Sequence, residues 1–383
     1  MESEVLKLKI REYFQIAEEI VPYMKDYVDQ KYKESLRQSG KVGELIDVDT
    51  VAAIELLIEK NQWEKALETA KQKSHRPLLD KYLTMYAARL NKDDNYLEAI
   101  KVLERYGAFA NPSNFNLYKL LFNRVYSDID DTLPGSYWKW AHLRNMLNSV
   151  CTDFEASRDS EKKVFERYLE VAHYKAIWTA LSKSSNTLLC IVRRQICISL
   201  LRYVDIINSE KAFYEAGESC KEWGKKKQNL AFLLLNHFLD LYDAIDQQDP
   251  STIDTAIFSA SDIPQEVQLP EKHIVSKSAY EEAKEWVLAA SVDSGIDGSV
   301  LASQFNSFEG SLKMANGTTK DACIISGYPV GDNTKSFGSS GKLAIMENWN
   351  HLIIEQKTNP NEYVEDVLLF ISKWTSTLFT MSV

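Results

Sequence analysis

Along residues 1 to about 246, apolar positions return every three or four places, the spacing of one face of an α-helix. Ala53, Ile54, Leu57 and Ile58 make one such face. After the polar break Lys60-Asn61-Gln62, Trp63, Ala66, Leu67 and Ala70 make a second. The pattern then returns: Tyr82, Met85, Tyr86 and Ala87 precede a polar break at 91–95, and Tyr96, Ala99, Ile100 and Leu103 follow it. Trp63 and Tyr96, Ala66 and Ala99, Leu67 and Ile100, and Ala70 and Leu103 are each 33 residues apart. A period of about 33 to 34 residues is that of tetratricopeptide-type helix pairs. The small residues fit, because two helices cross closest where no bulky side chain separates them.

Further helices are expected around Trp138–Leu143, Val164–Ile177, Ala212–Trp223 and Leu230–Ile245, with a loop over 128–135 and a break at Gly224. In the last of these, Leu230, Leu233, Leu234, His237, Phe238 and Leu241 form a continuous amphipathic stripe. His237 sits inside that stripe with no carboxylate or cysteine at ligand spacing, so it reads as a core histidine. The helical rhythm stops at 247–277, which carries Pro250, Pro264 and Pro270 and reads as a linker or extended strap. One helix over 278–298, with Tyr280, Ala283, Trp286, Val287 and Ala290 on a face, precedes a Gly/Ser/Asn-rich stretch at 299–320 that reads as mobile. The last unit, 321–383, combines a short strand at Ala322–Ile325, a turn at Ser326–Val330, a helix around Trp349 and a closing helix from Tyr363 to Trp374. The expected architecture is a mainly α, tetratricopeptide-like helical solenoid over 1–246, followed by a small α+β C-terminal domain. A repeat array needs polar caps at its ends, and none is evident at the start, so a piece of a longer array is expected.

Glycine (14) and proline (9) are too scarce for a turn-rich all-β chain. The net charge of −10 gives no basic footprint for nucleic acid, and Lys225-Lys226-Lys227 reads as a solvated loop. Five widely spaced cysteines contain no CxxC pair, which speaks for buried reduced thiols and a cytosolic setting rather than disulfides or zinc. The longest apolar stretch, 186–207, is interrupted by Arg193-Arg194, so no membrane insertion is expected. Gly338-Ser339-Ser340-Gly341-Lys342 has part of a phosphate loop, but Ser336 and Leu343 stand where glycine and Ser/Thr are needed. No nucleophile–base pattern is visible. Neither a cofactor, a metal nor an enzymatic activity is expected.

The segments Lys211–Gly217, Asn229–Leu241, Asp262–Pro270 and Glu285–Leu288 resemble the C-terminal part of the intraflagellar transport protein 172 family. So do Ile325–Val330, Gly341-Lys342, Asn348–Asn350 and Asp366–Trp374. The match is strong over about 210–375 and looser before that. The resemblance implies a non-enzymatic subunit of the intraflagellar transport B complex. It would offer a docking or polymerisation surface to other transport subunits, including contacts toward the A complex, and would be found in the cytoplasm, cilium or flagellum and basal body. The N-terminal β-propellers and longer helical array of the family are absent from this sequence.

Residues 321–383 also resemble a U-box, the RING-type module without zinc. Ile324, Pro329-Val330, Trp349 and Pro360 follow its order, although the turn is Gly327-Tyr328-Pro329 in place of an acidic Asp-Pro. The resemblance implies partner-binding roles for Ile324, Tyr328, Pro329, Val330, Trp349 and Pro360, toward a ubiquitin-conjugating enzyme or ubiquitin. Ile324 and Pro360 should then be exposed on adjacent loops. A third reading is a peptide receptor with a concave tetratricopeptide groove. A unit this small without metal or disulfide needs support, and packing against the helix of Trp286 is expected, with Trp349 and Trp374 mainly in its core.

Overall fold

The computed structural model describes residues 25–128, 135–155, 158–182, 184, 186–223, 228–254, 256–267, 269–294, 310–314 and 316–377. Among them are fifteen α-helices and one two-stranded antiparallel sheet. The chain divides into two compact units, 1–109 and 110–383.

The first unit contains α1 (Lys25–Gln38), α2 (Val42–Val48), α3 (Thr50–Glu59), α4 (Trp63–Gln72), α5 (Arg76–Lys92) and α6 (Tyr96–Tyr106). Each helix packs on the next. Ala66, Leu67 and Ala70 of α4 and their counterparts Ala99, Ile100 and Leu103 of α6 are all buried, so the 33-residue period marks core positions. The turns share one geometry as well. Asn61, Ser74 and Asp94 take left-handed backbone conformations, with φ of 57°, 53° and 62°. The next amide then reaches back five residues, Gln62 N to Leu57 O at 2.8 Å, His75 N to Ala70 O at 2.9 Å and Asn95 N to Leu90 O at 2.8 Å. This satisfies carbonyls that a helix end leaves open. Asn and Asp tolerate that conformation better than other non-glycine residues. The Asp49 carboxylate caps the start of α3 by accepting from Ala52 N.

The second unit contains α7 (Phe115–Ser127), α8 (Ser136–Asp153), α9 (Asp159–Ala180), α10 (Thr187–Leu200), α11 (Ser209–Glu222), α12 (Gln228–Gln247) and α13 (Lys277–Ser294). Asn186 and Asn208 cap α10 and α11. The pairs α8/α9 and α11/α12 share the most extensive helix contacts. Gly217 permits the second crossing: a Cβ there would stand 2.6 Å from Leu235 Cδ2. Between α9 and α11, the wholly buried Lys175 ammonium meets Glu215 at 2.7 Å, and Lys211 stands beside the same carboxylate. Burial of a charge is tolerable only with such a partner.

The strap after α12 contains no strand among its described residues. Phe258 packs against both Phe213 and His237, and Ile263 is buried. α13 then packs on α12, with Tyr280 stacked on Tyr242 and its hydroxyl donating to Asp243.

The C-terminal region adds β1 (Thr334–Ser336), β2 (Leu343–Ile345), α14 (Met346–Thr358) and α15 (Glu362–Thr375). Thr334 pairs with Ile345 and Ser336 with Leu343. Ala322 and Cys323 form isolated bridges, to Pro329 and Leu343, in place of the expected strand. Among the described residues this region rests chiefly on α9 and α10, and not on the Trp286 helix as the sequence suggested. The reason is chemical: α8–α10 supply a continuous set of hydrogen-bonding partners, whereas Ala283, Val287 and Ala290 of α13 are already spent on α12. Residues 321–383 thus belong to the same compact unit as 110–246. Of the stretch 299–320, read as mobile, residues 299–309 and 315 lie outside the described residues, as do 295–298 of the expected helix and Lys225–Lys227. The described part beyond it is tethered, with Leu312 N donating to Asp262 and the Gly310 carbonyl accepting from Arg202. No described helix is long and apolar enough to cross a membrane.

Candidate protein-interaction site

The residues singled out near the C-terminus sit on a loop and helix pressed into the second unit. Ile324 N donates to Leu343 O, which fixes the loop on β2. The Ile324 carbonyl turns the other way and meets His173 Nε2 at 2.9 Å. A carbonyl only accepts, so that nitrogen carries the proton. His173 Nδ1 is buried without a partner. Burial first, and the nearby Arg144 charge second, hold the His173 pKa well below its ordinary value, so the ring is neutral. Tyr174 donates to the adjacent Cys323 carbonyl at 3.3 Å. The turn closes through Gly327 at φ +67°, where a Cβ would lie 2.8 Å from Ser199 Cβ. Only glycine allows this turn to approach α10 so closely, and Arg202 donates to its carbonyl at 2.6 Å.

Both following helices continue the seam. Asn348 of α14 donates to Gln195 at 2.8 Å and to Ser326 Oγ at 3.0 Å. Glu355 accepts from Ser184 and Asn186. Asp366 of α15 accepts from Tyr137 and from the fully buried Arg144 guanidinium, the latter at 2.7 Å. Arg144 also lies 4.0 Å over the Phe370 ring. Phe370 and Trp374 flank His173, and Lys342 covers Trp374 at 3.9 Å.

This geometry places the six predicted partner-binding residues unevenly. Ile324 is 4% exposed, so the expectation that it stands on an open loop is overturned: the seam with α9 covers it. Val330 and Trp349 are buried too, Trp349 edge-on to Phe337 at 5.2 Å. Tyr328 and Pro329 are half-buried, and burial pushes the Tyr328 phenol up. Pro360 alone is exposed. Trp374 is half-buried under Lys342. The residues that do most to seat this region, Arg144, His173, Arg202 and Asp366, carried no pairing signal in the sequence, because their partners lie as far as 229 positions away.

A second tether holds the strap. Glu210 is fully buried and accepts from His273 Nδ1 and from Ile274 N, both at 2.8 Å. His273 Nε2 meets Asp246 at 3.0 Å, and its ring stacks on Tyr242 with centroids 3.8 Å apart. With a carboxylate at each ring nitrogen, the doubly protonated form is favoured. Burial acts against it, but the hydrogen bonds to Asp246 and Glu210 raise the His273 pKa overall. Beneath the strap lies a cavity of about 470 Å³, lined by Phe213, His237, Leu241, Phe258 and Ile263 among others. His237 is buried there, as its stripe foretold, and burial pushes its pKa down to about 4. Among the described residues, no three His, Cys, Asp or Glu side chains gather as metal ligands would. Of the five thiols Cys151, Cys197, Cys220 and Cys323 are buried and Cys190 half-buried.

No family model matches the chain. Individual relatives do. It is 39% identical over 376 residues to the intraflagellar transport protein osm-1 of Caenorhabditis elegans, an alignment covering 96% of this chain and 21% of that protein. It is 38% identical over 363 residues to the intraflagellar transport protein 172 homolog of Mus musculus, covering 94% and 20%. Intraflagellar transport protein 172 of Chlamydomonas reinhardtii is 29% identical over 360 residues, covering 88% and 20%. The chain thus spans about a fifth of the length of these relatives.

Proposed function

The chain is homologous over nearly its whole length to the intraflagellar transport protein 172 family, and from that premise we propose that it is a structural, protein-binding part of the intraflagellar transport machinery of cilia and flagella. The observation that carries this reading is identity of 38–39% running through both compact units, helical pairs and C-terminal region alike. In this reading the helix pairs form an adaptor surface, the partners are other intraflagellar transport subunits, and the contacts join subunits of complex B within transport trains. The buried ion pairs and capped turns favour a rigid scaffold: they hold helix positions rather than build a reactive cleft. The ubiquitin reading loses ground, since an enzyme docking on Ile324 would first have to lift it from His173.

Co-elution tests the proposal. The purified chain, mixed with the remaining subunits of the transport assembly, should co-elute with at least one of them. Deleting the matching segment from the Chlamydomonas reinhardtii relative should shorten or abolish flagella. Normal flagella after that deletion, with no co-elution, would overturn the reading.

A further inference from the structure

Three helix-borne tryptophans of the second unit, on α9, α11 and α13, each lie under a cation. Trp178, near the end of α9, has the Arg193 guanidinium 4.5 Å from its ring centre and the Lys175 ammonium at 5.1 Å. Trp223, which closes α11, has the Arg194 guanidinium at 5.6 Å. Trp286 of α13 has the Lys221 ammonium at 5.7 Å. Arg193 and Arg194 are neighbours on α10, and Lys221 and Trp223 are two places apart at the end of α11. The pairs therefore link α9 to α10, α10 to the end of α11, and α11 to α13. All three tryptophans are half-buried, as are Arg193, Arg194 and Lys221.

Charge makes this row unusual. Other deeply set cations have carboxylates, Lys175 of this row included: Lys175 has Glu215 and Arg144 has Asp366. Lys221 has Glu218. Arg193 and Arg194 have no carboxylate partner among the described residues. Arg194 donates to the Glu222 backbone carbonyl at 3.3 Å, and the Nε of each arginine is buried without an acceptor. A guanidinium lying on an indole is partly dehydrated and held flat, and its fork is suited to a planar carboxylate. Tryptophan and arginine are also the residue types that most often dominate the energy of protein interfaces.

We propose that this row is a docking surface for a short acidic, partly apolar segment of another protein, whose Asp or Glu carboxylates take the forks of Arg193 and Arg194 while an apolar side chain lies on the neighbouring tryptophans. Charge complementarity selects the occupant. A long polyanion would meet the whole surface of a chain of net charge −10, whereas a short acidic segment meets only the local cations. The proposal deepens the adaptor reading by naming the chemistry of a partner. Its test needs no cilia, so its failure would leave the transport assignment standing on the homology.

The test is selection from a random peptide library by the purified full chain. Enriched peptides should combine Asp or Glu with Trp, Phe or Leu, perturb tryptophan fluorescence on binding, and weaken as salt is raised. Arg193→Gln with Arg194→Gln should lower their affinity at least about tenfold, with the doubly Lys-substituted chain in between, because lysine keeps charge but loses the fork. Enriched peptides without acidic residues, binding insensitive to salt, unchanged affinity in a folded double variant, or equal binding of a single-stranded oligonucleotide would each overturn the proposal. Salt dependence reads the wild-type chain and so decides the matter even if the variants do not fold.

Discussion

At the scale of single residues, buried charge and buried histidine set the behaviour of the second unit. Arg144 is wholly inside and has the Asp366 carboxylate beside it. Asp366→Asn keeps the shape and removes the anion, leaving a buried cation unpaired, which costs about 3 kcal/mol or more. Urea denaturation should register that loss, and a loss under about 1 kcal/mol would mean water reaches the guanidinium. The histidines give the pH response two opposite arms. His237, with a folded pKa of about 4 against 6.5 unfolded, lets the unfolded chain bind the extra proton between those values. Stability is therefore complete above 6.5 and falls as the pH drops toward 4. His173, shifted the same way, adds to that fall. His273 is shifted upward, so its contribution is complete below 6.5 and fades as the pH rises through its raised value. His237→Phe should flatten the acid arm of a stability–pH curve, and His273→Gln the arm above 6.5. A shared shape in both variants would show that neither histidine governs its arm.

Between residues and the whole, the helix crossings decide what is tolerated. Gly217 lies mid-helix, where alanine is ordinarily better by about 1 kcal/mol. Here the added Cβ would meet the Leu235 side chain at 2.6 Å and its backbone nitrogen at 3.3 Å. Overpacking of that kind costs about 1–3 kcal/mol, so the steric loss wins and Gly217→Ala should lower the melting temperature. Gly43 in α2 has open space around it, and Gly43→Ala should leave the melting temperature unchanged or raise it. The same scale explains what could be read in advance. Helix faces such as Ala66-Leu67-Ala70 repeat locally, and the polar breaks hold the turn residues Asn61 and Asp94, so both were legible in spacing. His237 was legible as core for the same reason. The burial of Ile324 was not, because it depends on His173, 151 positions earlier. No local period records such a pairing. The strap's grip through Glu210 was hidden likewise, a single carboxylate in an ordinary acidic helix start.

For the molecule as a whole, the division at Phe109–Ala110 changes which pieces should stand alone. Amphipathic rhythm suggested a cut near 246, with 321–383 as a separate module. The structure instead joins α9 and α10 to the C-terminal region through His173, Tyr174 and Gln195, the turn after α10 through Arg202, and α8 through Tyr137 and Arg144. Take away 321–383 and Arg144 loses Asp366, His173 loses the carbonyl it donates to, and the rings of Phe370 and Trp374 leave it uncovered. Each unmatched buried polar group costs about 1–3 kcal/mol, and several lost together rival the 5–15 kcal/mol stability of an ordinary domain. A fragment of residues 110–383 should therefore melt in one cooperative transition, while 110–320 should melt broadly and bind a hydrophobic dye at room temperature. Differential scanning calorimetry on the two fragments decides it. A sharp, dye-free transition in 110–320 would mean that the helices hold their own core and that the C-terminal region is only laid upon it.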